Sequence, residues 1–181
     1  MEQRLQQFAD AGGKAIVVRA GDYFGPGAGN SWFAQGLIKP GKPVRKIYNP
    51  ARPGIGHQWG YLPDVAATMV QVLEQRQRLD NFTNLHMAGH WDADGRQMVT
   101  MIQQFTQQQG SAAPIVSFPW WLISLMAPFN LTLREMLEMR YLWQQPLRLD
   151  NTRLIEMLGA EPHTPLEQAV NDTLNGLGCG I

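Results

Sequence analysis

The chain is poor in residues that would fix its chemistry by themselves. It holds a single cysteine, Cys179, in 181 residues. An intrachain disulfide and a cysteine-based zinc site are therefore excluded, which fits a reducing compartment. An excess of either charge is also missing, because 15 basic side chains balance 15 acidic ones. A general nucleic-acid binder needs a basic excess to neutralise phosphates, so a nucleic-acid partner is not expected. Acidic residues are absent from Tyr23 to Pro63, where Lys39, Lys42, Arg45, Lys46 and Arg52 all fall. That stretch reads as a solvated loop surface or, more sharply, as a positive field for a phosphate-bearing ligand. From Gln97 to Leu133 there is no charge of either sign. Its centre, Pro114 to Phe129, raises the question of a membrane, but Pro114, Pro119 and Pro128 divide it, whereas a spanning helix needs about 20 consecutive apolar residues. Burial as a helix or pocket lid is the expectation, with Trp120 and Trp121 as candidates to line an apolar pocket; a membrane-surface role for Phe118 to Phe129 is the weaker reading. The polar opening Met1 to Phe8 is no signal peptide, so the expected location is cytoplasmic.

What is present describes a folded domain, with 44% hydrophobic and 17% charged residues. Met1 to Ala11 reads as the end of an amphipathic helix stopped by Gly12-Gly13. Lys14 to Ala20 reads as a strand whose consecutive apolar residues suggest burial on both faces, as in a parallel sheet. A short helix is expected over Ser31 to Ile38, a short strand at Val44 to Tyr48, and another strand at Asn84 to Ala88. Asp64 is a candidate N-cap for a helix with Val65, Met69, Val72 and Leu73 on its apolar face. Capping boxes are read at Asp94-Gly-Arg-Gln97, Thr132-Leu-Arg-Glu135 and Thr164-Pro-Leu-Glu167. The last opens a helix with Leu166, Ala169, Val170, Thr173, Leu174 and Leu177 at helical spacing. A further helix from Asn151 to Leu158 stops at Gly159. The first half is thus α/β and the second helical.

The glycine cluster Gly25, Gly27, Gly29 follows the first strand, where α/β proteins build ligand crevices. It does not complete G-x-G-x-x-G, since the final position is Asn30 counted from Gly25 and Trp32 counted from Gly27. A loop passing close to a ligand through its backbone is what remains. His86 and His90, near Asp92 and Asp94, read as strand histidines and helix-capping aspartates rather than metal ligands. Position plus four from Tyr23, Tyr48, Tyr61 and Tyr141 is Gly27, Arg52, Val65 and Gln145. No tyrosine therefore has the lysine one helical turn later that would lower its phenol pKa. A catalytic acid-base pair is not expected in this chain.

Four segments in series carry a resemblance. Val17-Val18-Arg19-Ala-Gly-Asp-Tyr-Phe-Gly-Pro26 resembles the strand-and-loop segment of extended short-chain dehydrogenases/reductases, the NAD-dependent epimerase/dehydratase group. His57-Gln-Trp-Gly-Tyr-Leu-Pro-Asp64-Val-Ala66 resembles that family's segment ahead of a helix. Leu147 to Gly159 is similar to its D-x-(S/T)-(K/R)-x-x-x-x-L-G segment, and Thr164-Pro-Leu-Glu167 to the opening of its final helix. The resemblance covers the carboxyl-terminal portion only, because in that family the glycine fingerprint and Tyr-x-x-x-Lys lie upstream of the helix that ends here at Gly12-Gly13.

The implied fold is α/β, the carboxyl-terminal part of a Rossmann-like, NAD(P)-binding fold with a mostly helical substrate-binding lobe. Residues 1–38 and 84–110 would be the remnant of the Rossmann-like core, and 39–83 and 111–181 the lobe. By resemblance, Ala20, Gly21 and Asp22 would border the nicotinamide of NAD or NADP, and Tyr23, Asn30, Ser31 and Arg52 would lie toward a small-molecule substrate. The implied function is the substrate-binding portion of an NAD(P)-dependent oxidoreductase, inactive alone; a non-enzymatic ligand-binding or regulatory module is the alternative. The first strand would lack neighbours, so self-association or pairing with a chain carrying the nucleotide-binding half is expected.

Overall fold

The structure is a computed structural model and describes residues 1–180. Helix α1 (Glu2–Asp10) ends at Gly12, whose φ of +92° suits glycine. Strand β1 (Ala15–Arg19) follows and pairs in parallel with β5 (Phe82–His86), Ala15 opposite Phe82 and Arg19 opposite His86. The strand expected at Asn84 to Ala88 thus lies two residues earlier than periodicity placed it. Between these partners the chain forms β2 (Asp22–Phe24), β3 (Ile47–Asn49), β4 (His57–Tyr61) and α2 (Leu62–Glu74). Strand β2 runs parallel to β4, and β6 (His90–Asp92) runs antiparallel on the other side of β4. A third small sheet pairs β3 with β7 (Ile115–Ser117). The chain continues through α3 (Gln97–Gln108), α4 (Trp120–Met126), α5 (Leu131–Glu138), α6 (Thr152–Leu158) and α7 (Leu166–Gly176).

Two apolar cores result. The larger gathers Phe24, Phe33, Trp59, Ile102, Trp143 and Leu174, with α3 lying against α7. The smaller sits on the β1–β5 ladder, where Val65 and Val72 of α2, Leu85 and Leu154 of α6 are buried against Ile16 and Val18. Helix α7 buries the face expected of it, and α6 ends at Gly159 with φ +83°. On α2 the stripe is narrower than expected. Val65, Thr68 and Val72 are buried, while Met69 and Leu73 are exposed.

Several helix starts differ from the expectation. Asp64 is not an N-cap, since α2 begins at Leu62, with Pro63 in its first turn. Its carboxylate instead accepts from the Thr164 N–H (2.8 Å) and hydroxyl (2.7 Å), tying α2 to the segment ahead of α7. Thr164 is thereby withdrawn from capping, and Pro165 occupies the cap position of α7. Asn130 replaces Thr132 as the cap of α5 by accepting from the Leu133 N–H. At α3, Asp92 accepts from the N–H groups of Arg96, Gln97 and Met98, and Asp94 adds one bond to Arg96. The expected short helix after Ser31 is a π-helical turn over Phe33–Leu37, and the expected strand at Val44 is confined to Ile47–Asn49.

The centre of the uncharged run, Pro114 to Phe129, is not buried as a helix, whereas its first part forms α3, whose apolar face is buried. Trp121 is 72% and Phe129 87% exposed, and none of α4 is buried. Trp120 packs against Trp32 and Phe118 and donates its indole N–H to Pro50 O, so neither tryptophan lines an enclosed pocket. No helix among the described residues is long and apolar enough to cross a membrane.

Two measurements check this packing. A Cβ added at Gly21 would come within 2.1 Å of the backbone oxygen of Gln58. Gly21→Ala should therefore lower unfolding stability by about 2 kcal/mol or more in denaturant titration. Burial, and then the neighbouring His163, push the His90 ring from 6.5 down to about 4. The unfolded chain then binds a proton that the folded chain refuses between those values. Stability from this group is full above pH 6.5 and falls as pH drops toward 4. After discounting for solvent the loss should be about 1–2 kcal/mol, and His90→Phe should remove it from the pH profile of the melting temperature.

Candidate functional site

The site forms where β1 and β5 end. After Arg19 the chain turns through Ala20 and Gly21 into β2, and Gly21 is held against the Gln58 backbone. Gln58, buried on β4, ties three segments together. Its side-chain amide donates to Met87 O (3.1 Å) and Ala88 O (2.6 Å), just beyond β5, and its carbonyl accepts from the Leu149 N–H (2.7 Å). Between these segments lies a cleft of about 280 Å³ lined by Ala20, Gly21, Asp22, Tyr23, His57, Gln58 and leucines 142, 147 and 149. Its place at the carboxyl ends of parallel strands is where open α/β sheets bind ligands.

Asp22 and His57 form a polar pair in the cleft. His57 Nε2 stands 2.8 Å from Asp22 Oδ2, and Nδ1 stands 3.3 Å from the carbonyl oxygen of Leu142. The imidazole lies flat on Trp143, with ring centroids 3.7 Å apart and planes 10° from parallel. Tyr61 is buried beside Asp172, and both burial and that carboxylate raise its phenol pKa, so it stays protonated.

The expected residues separate into three places. Ala20, Gly21, Asp22 and Tyr23 meet in the cleft. Asn30 and Ser31 line a different depression of about 330 Å³, with Trp32, Gln35 and Met139 on its walls. Ser31 also serves the backbone there, donating to Ala28 O and accepting from the Ala34 N–H. Arg52 is exposed and lines neither; its N–H donates to Trp143 O. Sequence reasoning did not single out His57, Gln58 or the three leucines. The signal for the first two was the segment beginning His57-Gln58, which carried part of the resemblance. His86 and His90 lie on strands and Asp92 and Asp94 cap α3, as expected.

As to the nicotinamide cofactor that the resemblance implies, the cleft has the size and the glycine-lined close backbone approach for one end of a dinucleotide. A volume of about 280 Å³ is at the low end for ligand clefts, so it suits a nicotinamide-sized group rather than the whole molecule. Gly27 and Gly29 face open space, so internal packing does not require them to lack a side chain.

No protein-family model and no curated protein matches the chain. Solved structures do. RMD from Pseudomonas aeruginosa complexed with NADPH is 15% identical with a TM-score of 0.61, over 98% of this chain and 52% of that one. UDP-glucuronic acid 4-epimerase from Bacillus cereus, in complex with UDP-glucuronic acid and NAD, is 14% identical with a TM-score of 0.66, over 97% of this chain and 49% of that one. UDP-glucose 4-epimerase from Thermus thermophilus, in complex with NAD, is 17% identical with a TM-score of 0.61, over 99% and 52%. The chain spans about half the length of these structures. It has their Rossmann-like α/β fold over that half.

Proposed function

We propose that this chain is the substrate-binding portion of an NAD(P)-dependent protein of the extended short-chain dehydrogenase/reductase kind, with an oxidoreductase, epimerase or dehydratase activity that needs a further nucleotide-binding half. The observation that carries this reading is the cleft at the ends of β1 and β5, in a fold whose solved neighbours hold NAD or NADPH. Ala20, Gly21 and Asp22 would stand beside the nicotinamide, and Tyr23 toward substrate. Asn30, Ser31 and Arg52 are assigned to a more distant part of the substrate surface. When bound, the nicotinamide supplies hydride transfer to or from a carbon of the substrate. This chain orients the reacting group and limits water through its leucine wall.

The proton-transfer pair is not read in this chain, because no tyrosine has a lysine four residues later. The open backbone edge of β1 is the assigned docking place for the nucleotide-binding half, covalently attached or separate. A second reading, a ligand-binding module without turnover, is favoured by the absence of a Tyr-x-x-x-Lys pair from the sequence.

The test is to pair the chain with the polypeptide encoded immediately upstream in the DNA. The expected result is that this polypeptide carries a glycine fingerprint and Tyr-x-x-x-Lys, co-purifies with the chain, and binds NADH or NADPH by calorimetry. Robust carbonyl reduction by the purified chain alone would overturn the proposal. Ligand binding by the chain alone, with no such upstream frame, would favour the module.

A further inference from the structure

Helix α4 is apolar on every side. Ser124 is its one polar residue, and that hydroxyl is turned back to Trp120 O. A helix of this kind is normally covered all round. Here only one side is covered: Trp120 rests on Trp32 and Phe118, and Ala127, just past the helix, is buried. Trp121, Leu122, Leu125, Met126, Phe129 and Leu131 are left exposed. They sit on one unit, because α4, the turn Ala127–Phe129 and α5 pack on one another. Contiguous apolar surface beyond a few hundred Å² marks a contact site. Trp121 and Phe129 each carry roughly 150–250 Å², so the six side chains together approach the roughly 800 Å² that each partner of a standard interface buries.

The charges beside this surface select the partner. The exposed face of α5 continues from Leu131 through Arg134, Glu135 and Glu138 at helical spacing. None of these three charges has an ion-pair partner among the described residues. The face is therefore positive toward its start and negative toward its end. Turned antiparallel on a copy of itself about a two-fold axis, such a face matches Arg134 with Glu138 twice. An anionic bilayer fits it worse, because the three charges sum to a negative value, whereas membrane-surface helices carry Lys or Arg there. We propose that the α4–α5 face is an isologous interface for a second copy of this chain, with the apolar side chains at its centre and Arg134 of each copy paired with Glu138 of the other. The interface uses no residue of β1 or of the cleft, so it stands apart from the functional reading above.

Sedimentation velocity on the full chain tests this. The unaltered chain should form a dimer with a Kd of about 10 µM or below. Arg134→Glu and Glu138→Arg should each weaken it about tenfold or more, because both copies of the pair become like-charged. An equimolar mixture of these two variants should recover the dimer, because each supplies the sign that the other lacks. Phe129→Glu should weaken dimerisation about 30-fold or more, as loss of a central anchor does. All three side chains are exposed, and thermal melting checks that each variant folds; if a charge variant does not, Phe129→Glu still decides. A dimer that survives Phe129→Glu uses another surface, such as the β1 edge, and overturns the proposal. So does a mixture of folded charge variants that stays monomeric. A chain that remains monomeric at about 100 µM also overturns it. If that monomer is then pelleted by phosphatidylcholine vesicles, the face belongs to a bilayer instead.

Discussion

Everything in the small core and the cleft depends on a parallel ladder of only two strands, β1 with β5. Parallel ladders occur in sheets with more strands and both faces covered, because their evenly spaced bonds are weak in isolation. Here α2 and α6 contribute to the core on that ladder, yet Ile16, Val17 and Val18 remain only partly buried. The free side of β1 is a row of backbone donors and acceptors with no strand beside it among the described residues. Such an edge is a template for another strand. This open edge is the physical support for the proposed nucleotide-binding half.

The same ladder fixes the cleft. Gln58 accepts from one side and donates to the other, so it ties β4, the end of β5 and the Leu149 segment together. Gly21 permits the backbone after β1 to lie on the Gln58 carbonyl, which places Asp22 within reach of His57. Trp143 then supports the imidazole from behind. Glu161 adds a further tie, because its carboxylate accepts from the N–H groups of Ala88 and Gly89 and from the Asn151 amide. Polar side chains, rather than apolar area, hold this junction of loops.

Elements governed by local periodicity were legible in the sequence. The buried face of α7, the stop of α6 at Gly159 and the consecutive apolar residues of β1 follow from spacing and from glycine geometry alone. The resemblance placed four residues of the cleft, Ala20 to Tyr23. What escaped were partnerships over long sequence distances. Asp64 reads locally as a cap but is claimed by Thr164, 100 residues away. His57 is separated from Asp22 by 35 positions, and only the pairing of β2 with β4 brings them together. Three-residue strands such as β2, β6 and β7 are too short for a period to register. The uncharged run around Trp121 misleads because low charge suggests burial, whereas three prolines leave it as short helices on the surface.

The open edge of β1 is most directly tested by amide hydrogen exchange along that strand. Ala15 N–H and Arg19 C=O bond toward the β5 side, so the alternation of a parallel ladder turns the amides of Ile16 and Val18 to the open edge. In a dilute monomeric sample, Val17 should be protected while Ile16 and Val18 exchange at nearly unprotected rates, and the latter two should slow when the nucleotide-binding half is added. Equal protection of all three in the monomer would contradict the account.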